Sequence, residues 1–100
     1  MKFNSMKESE KLLERKLGEK LKKMGGWSIK LLPNFISGIP DRLCLVPPGK
    51  IFFAEMKTTG EKPEPRQLAV HRKLIKMGFR VEVIDTSKQI EDILREYETD

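Results

Sequence analysis

The sequence predicts an α/β fold in which a small mixed sheet is flanked by helices, with the element order αβββαβα. Charged stretches whose apolar residues recur every three or four positions indicate three helices, and short apolar runs indicate four strands. Two of these runs flank a Pro-Pro-Gly-Lys segment, which is typical of a hairpin turn. A chain of 100 residues has room for one modest core, so residues 1–100 are expected to form a single domain.

The first helix is predicted over residues 6–24, where leucines recur at four-residue spacing. Ser5 is the expected N-cap, and the Gly-Gly pair at residues 25–26 ends the helix. A first strand is expected over residues 27–32. The segment 33–40 contains two prolines and a glycine and is expected to be a loop.

The predicted hairpin joins strands over residues 42–46 and 51–57. Counting outward from a four-residue turn at residues 47–50 pairs Arg42 with Glu55, which places Asp41 beside Glu55 or Met56.

The remaining elements are two helices and one strand. Pro65 suits the first turn of the second helix, and Gly78 ends it. The apolar positions of this helix are Leu68, Val70, Leu74, Ile75 and Met77. A fourth strand is expected over residues 79–84. The last helix, over residues 87–97, repeats apolar residues at Ile90, Ile93, Leu94 and Tyr97.

Charge is unevenly distributed along the chain. Residues 1–84 carry 18 basic and nine acidic side chains, whereas residues 85–100 carry two and six. The excess of basic residues in 1–84 favours a polyanionic partner such as nucleic acid, although solvated surface lysines explain the charge equally well. Cys44 has no cysteine to pair with, and no segment resembles a signal peptide or a membrane helix. We therefore expect a cytoplasmic protein without a membrane partner.

Two acids of the first helix share its apolar side. At about 100° per residue, Glu10 and Glu14 point with the leucines, whereas Glu8 and Glu19 point away. A buried carboxylate without a partner is costly, so Glu10 and Glu14 need a cation unless they reach solvent at the edge of the apolar stripe or pair with Lys or Arg.

A second pair of charges lies on one face of the strand at residues 51–57. Glu55 and Lys57 project from the same side because side chains alternate along a strand. The alternative is an ordinary ion pair at a fraying strand end. If Asp41 also lies nearby, the converging oxygen ligands favour Mg²⁺ or Mn²⁺ over zinc.

These residues resemble a known signature. Gly-Ile-Pro-Asp at residues 38–41 followed by Glu-Met-Lys at residues 55–57 resembles the PD-(D/E)XK nuclease motif. Pro-x-Gln at residues 65–67 and Gly-Phe-Arg-Val at residues 78–81 extend the resemblance to the VRR-NUC domain, the virus-type replication-repair nuclease. The resemblance covers about residues 8–97 and implies a restriction-endonuclease-like αβββαβ core in a stand-alone form.

The resemblance implies a set of site residues. They are Asp41, Glu55, Lys57, Glu14 and Gln67 as catalytic residues, with Asp41, Glu55, Glu14 and the carbonyl of Met56 as ligands of Mg²⁺ or Mn²⁺. Lys57 would orient the attacking water or stabilise charge on the phosphate. Glu10 is the second candidate for the helix acid. The family often has Leu at the position of Met56, which leaves the backbone carbonyl unaltered.

The resemblance also implies an endonuclease that hydrolyses DNA phosphodiester bonds in DNA repair. Its substrate would be branched DNA, such as a Holliday junction, or duplex DNA. By the same resemblance a homodimer is expected, through the last or the first helix, in a bacterial cell or a virus-infected host cell. Two other classes stay open: a DNA-binding module that keeps the nuclease fold without catalysis, and a basic RNA-binding adaptor.

Several side chains are candidates for contacts with DNA or a second subunit. The basic candidates are Lys16, Lys20, Lys22 and Lys23 on the first helix and Arg66, Arg72, Lys73 and Lys76 on the second. Phe35 is a candidate wedge against DNA or a core residue. Trp27 and Tyr97 are expected in the core or in a dimer interface.

Overall fold

A computed structural model of the chain describes residues 6–34 and 36–98. In this part of the chain the elements are α1 (Glu10–Lys23), β1 (Trp27–Lys30), β2 (Arg42–Val46), β3 (Lys50–Met56), α2 (Pro65–Lys76), β4 (Val81–Ile84) and α3 (Ser87–Tyr97). The strands form one sheet in the order β1-β2-β3-β4. The first three strands are antiparallel, and β4 is parallel to β3 because α2 forms the crossover between them. The predicted α/β fold and its element order are confirmed.

The start of α1 differs from the prediction. The helix begins at Glu10 instead of residue 6, and the side chain of Ser9 caps it by accepting a hydrogen bond from the Leu12 N–H at 3.1 Å. Glu8 is held outside the helix, because its backbone N–H donates to the hydroxyl of Thr59 at 2.9 Å. The predicted cap, Ser5, lies outside the described residues.

The hairpin register differs by one residue from the pairing counted outward from a four-residue turn. Arg42 pairs with Ala54 instead of Glu55, and Val46 pairs with Lys50. The cause is a turn of three residues, in which Gly49 has a φ of 64°. The strands β1 and β4 are each two residues shorter than predicted, and β3 begins and ends one residue earlier.

The core lies on one face of the sheet, beneath α1 and α3. It consists of Leu13, Leu17 and Leu21 from α1, Ile90, Ile93 and Leu94 from α3, and Cys44, Val46, Phe52, Ala54, Met56 and Ile84 from the strands. Tyr97 stacks on Phe52 with ring centroids 5.5 Å apart, as predicted for a core position. Trp27 is not in the core, because 65% of its surface is exposed.

The other face of the sheet carries α2. Side chains alternate along β3, so Phe52, Ala54 and Met56 enter the core while Glu55 points to the opposite face. Of the helices in the part of the chain that is described, none is long and apolar enough to cross a membrane.

Candidate active site

Asp41 is fixed at the entrance to β2 by two backbone hydrogen bonds. Its carboxylate oxygen Oδ2 accepts the N–H of Met56 at 2.8 Å, and its backbone carbonyl accepts the N–H of Leu31 at 2.7 Å. The carboxylate therefore lies against the end of β3, at the place predicted by counting outward from the hairpin turn.

Glu55 is a buried acid beside this contact. Only 1% of its surface is exposed. Its oxygen Oε2 accepts a hydrogen bond from the Gln67 amide at 2.9 Å and lies 3.8 Å from the Lys57 ammonium. Burial raises the pKa of Glu55 to about 8; the charge of Asp41 adds to the rise, and Lys57 opposes it. Burial therefore disfavours the charged form of Glu55 by more than the nearby Lys57 ammonium favours it.

The orientation of Gln67 follows from local sequence. Gln67 and Glu64 form a capping box at the start of α2, in which the Gln67 side-chain oxygen accepts the backbone N–H of Glu64 at 2.9 Å. The amide nitrogen of Gln67 is left to face Glu55. The loop before β2 packs closely on this turn: a Cβ at Gly38 would lie 2.7 Å from the Arg66 carbonyl, and the φ of Gly38 is +88°.

His71 is the site residue that sequence reasoning missed. It is 4% exposed, and its Nε2 lies 3.6 Å from Oε1 of Glu55. Burial is the main cause that lowers the pKa of His71. The sequence does contain a signal for it. His71 follows Gln67 by four residues, so the two side chains share one helix face.

The two candidate helix acids occupy different surroundings. Glu14 forms an ion pair with Arg42 at 3.2 Å. The backbone N–H of Glu10 donates to the hydroxyl of Thr58, next to Lys57 in the chain, at 3.2 Å. Burial raises the pKa of Glu10, and the charge of Asp41 raises it further. Glu10 is therefore the helix acid electrostatically linked to Asp41, and Glu14 has a cation of its own.

A cavity of about 590 Å³ opens beside Asp41 and Gln67. Arg66 lies in its wall, where its guanidinium donates to the Ser37 hydroxyl at 2.9 Å. This space joins Asp41 to solvent, whereas Glu55 is not part of its wall.

The donor set is compatible with a hard divalent cation held by few protein ligands. Among residues 6–34 and 36–98, no three His, Cys, Asp or Glu side chains come close enough together to hold a metal ion. The carboxylates that the contacts with Met56 and Gln67 bring to this end of the sheet are those of Asp41 and Glu55. Oε1 of Glu55 is buried and has no hydrogen-bond partner in the described chain. Mg²⁺ often binds through one or two carboxylates and keeps its other positions for water and phosphate, so the residues fit such an ion.

The basic candidates divide into engaged and exposed side chains. The Lys16 ammonium contacts the carboxylate of Glu8 at 3.1 Å and the Ser87 hydroxyl at 2.8 Å. Lys20 is partly exposed, and the remaining candidates are exposed: Lys22, Lys23, Arg66, Arg72, Lys73 and Lys76. Phe35, the candidate wedge, lies outside the described residues.

Comparison with known proteins gave two informative similarities. The chain is 42% identical over 82 residues to "Putative nuclease p44" of Acyrthosiphon pisum secondary endosymbiont phage 1, covering 82% of this chain and 87% of that protein. A solved structure described as "VRR_NUC domain" is similar with a TM-score of 0.80 and 32% identity, covering 90% of this chain and 99% of the other. No family model matches the sequence.

Proposed function

Because this chain belongs to the VRR-NUC family of nuclease domains, we propose that it is a metal-dependent endonuclease that hydrolyses phosphodiester bonds in DNA. The observation that carries the proposal is the contact between three elements at one end of the sheet. Asp41 accepts the N–H of Met56, and the neighbouring Glu55 is buried against Gln67 and Lys57. Burial of a carboxylate among other charges costs stability, and such positions are typical of functional sites.

Asp41, Glu55 and the Met56 carbonyl are the proposed ligands of Mg²⁺ or Mn²⁺. Such an ion, when bound, supplies Lewis-acid activation and neutralises charge on the phosphate. Lys57 provides a positive charge 3.8 Å from Glu55, where it can orient water or stabilise charge that develops on the phosphate. Gln67 holds Glu55 in place by its hydrogen bond to Oε2.

Glu10 is the helix acid that we favour for this site, because Glu14 already has a cationic partner. Burial raises the pKa of Glu10, and the negative charge of Asp41 raises it further. A divalent cation between the two carboxylates would relieve their repulsion. Glu14, the acid that the family resemblance indicates, is already paired with Arg42.

DNA is proposed to enter along the cavity beside Asp41. Arg66 lies in its wall and presents a guanidinium suited to a phosphate of the strand being cut. The exposed cations of α2, Arg72, Lys73 and Lys76, lie further along the same helix. Contacts of this kind position DNA without reading its sequence, so they agree with selection by DNA shape, such as a branch in a repair intermediate.

A homodimer is proposed through α2. The apolar residues of α1 and α3 are mostly used in the core, which leaves little apolar surface on the two helices first expected to form the interface. On and just after α2, by contrast, Leu68, Ile75, Met77 and Phe79 are 39%, 54%, 59% and 39% exposed. A two-fold axis here would give two sites for paired cuts on branched DNA.

Cleavage of a panel of labelled four-way junctions, flaps and linear duplexes, with Mg²⁺, Mn²⁺ or EDTA, tests the proposal. We expect wild type to cut in either metal and not in EDTA, and Glu55→Ala and Lys57→Ala to bind DNA without cutting it. Glu19→Ala is the control, since Glu19 is exposed and lies outside the site. Unchanged cleavage by both site variants, or cutting in EDTA, contradicts the proposal. DNA binding by wild type without any cutting would instead favour the non-catalytic alternative.

A further inference from the structure

The buried face of α2 carries an unusual residue. Within α2, all of which is described, the only buried residue is His71, whereas Leu68 and Ile75 are 39% and 54% exposed. A helix that packed only for stability would bury residues such as Leu68 and Ile75 in preference to a histidine. The most buried position of α2 therefore holds a polar side chain, whereas Val70 and Leu74 are half-buried.

What His71 contacts is the carboxylate of Glu55. Gln67 and His71 are one turn apart on the same helix face, so both side chains project toward β3. Gln67 donates to one oxygen of Glu55, Oε2, at 2.9 Å. Nε2 of His71 lies 3.6 Å from the other oxygen, Oε1. The two side chains thus bracket one carboxylate group.

The atoms that face each other are both without partners. Oε1 of Glu55 and Nε2 of His71 are buried and make no hydrogen bond within the described residues. Buried polar atoms are nearly always paired, and the gap of 3.6 Å is close to hydrogen-bond distance. A small rotation of either side chain joins them, with Nε2–H as donor and the carboxylate as acceptor.

We infer that His71 is a positioning residue, whose Nε2–H holds Oε1 of Glu55 and fixes the rotation of the carboxylate plane. The last side-chain torsion of a glutamate has a broad energy minimum, so a single hydrogen bond from Gln67 leaves the carboxylate group free to rotate. Donors on both oxygens stop that rotation and leave the remaining lone pairs aimed at the cation. His71 is too deeply buried to touch DNA. The inference rests on the proposed function, since it concerns a ligand of the proposed ion.

Three variants separate this role from ordinary packing. His71→Phe keeps a flat ring and removes the donor. His71→Gln keeps a donor near the position of Nε2. Ile93→Val is a core control on the opposite face of the sheet, beneath α3. For each folded variant, Mn²⁺ affinity is measured by calorimetry without DNA, and the Mg²⁺ concentration for half-maximal cleavage is measured with DNA.

We expect His71→Phe to weaken Mn²⁺ binding by about 10- to 100-fold and to raise the half-maximal Mg²⁺ concentration in parallel. His71→Gln should recover most of the loss, and Ile93→Val should bind Mn²⁺ as wild type does. Equal affinity of wild type and His71→Phe, or equal impairment of the Phe and Gln variants, overturns the inference. If wild type itself neither binds Mn²⁺ nor cuts DNA, the proposed function has failed instead.

A second measurement needs no metal and no activity. His71 is the single histidine of the chain, so its imidazole nitrogens give unambiguous ¹⁵N signals. In the metal-free protein, at a pH above the raised pKa of Glu55, we expect the neutral tautomer with the proton on Nε2, and a shift of the Nε2 signal in Glu55→Gln. A tautomer protonated on Nδ1 alone overturns the inference, because Nε2 would then have no hydrogen to donate.

Discussion

The helices α3 and α2 have nearly the same length but bury opposite kinds of residue. In α3, Ile90, Ile93 and Leu94 are at most 6% exposed and belong to the core. In α2, whose residues are all described, His71 alone is buried, and Ile75 is 54% exposed. The two faces of the sheet therefore have different roles. The α3 face supplies stability, and the α2 face holds a carboxylate whose burial opposes stability.

Substitution at Glu55 should separate these tasks most sharply. Glu55→Gln should reduce cleavage by about 10³-fold, because it removes a negative charge from the proposed metal site. Its thermal unfolding midpoint should be no lower than that of wild type, since a raised pKa means that the buried charge is unfavourable. Single-turnover cleavage and calorimetry measure the two effects. Full activity in this variant would remove Glu55 from the chemistry.

Leu94 should give the opposite result. Leu94→Ala should lower the free energy of unfolding by about 2–5 kcal/mol, because it opens a cavity in the core beneath α3. At a temperature where the variant is folded, its cleavage rate per folded molecule should match that of wild type. Urea denaturation and a rate normalised to the folded fraction provide the check. If folded Leu94→Ala loses cleavage, the α3 face contributes to catalysis as well as to stability.

The helix acids of α1 allow a matched comparison within a single element. Glu10→Gln should lower the cleavage rate by about 10- to 100-fold, because Glu10 is electrostatically linked to Asp41. Glu14→Gln should lose less activity than Glu10→Gln, since its carboxylate is paired with Arg42 at 3.2 Å. Cleavage kinetics of both variants at saturating Mg²⁺ decide between them. A larger loss in Glu14→Gln would assign the helix acid to Glu14.

The smallest expected effect concerns the exposed apolar side of α2. Ile75→Lys should convert a dimer to a monomer at micromolar concentration while changing the unfolding free energy of the subunit by about 0.5 kcal/mol or less. Leu32→Lys is the control, since Leu32 is also exposed but lies outside α2. Sedimentation analysis measures the molecular mass of wild type and of both variants. A wild type that is monomeric, or a dimer that persists in Ile75→Lys, contradicts an interface on α2.

Periodicity and turn residues predicted most of the fold because those signals are local. The hairpin, the crossover helix beginning at Pro65 and the core stripe of α3 all follow from short-range spacing. The start of α1 was wrong because it depends on distant residues. Thr58 and Thr59 hold Glu8 and Glu10 by hydrogen bonds across about 50 positions of the sequence.

Part of the candidate site was predictable because it also depends on local signals. Asp41 meets the end of β3 because the hairpin brings the two together, and strand alternation separates Glu55 from the core. The surroundings of Glu14 depend on Arg42, which lies 28 positions away and gives no local signal. His71 was missed because apolar periodicity directs attention to Leu68 and Ile75, which are exposed in α2.

We propose that Asp41 and Glu55 together bind a divalent ion. Anomalous diffraction from crystals soaked in Mn²⁺ tests it most directly, with Glu55→Gln crystals as the control. We expect an anomalous peak within bonding distance of both carboxylates in wild type, and a weaker or absent peak in the variant. Ordered carboxylates without a peak between them, in crystals that bind Mn²⁺ elsewhere, would contradict it.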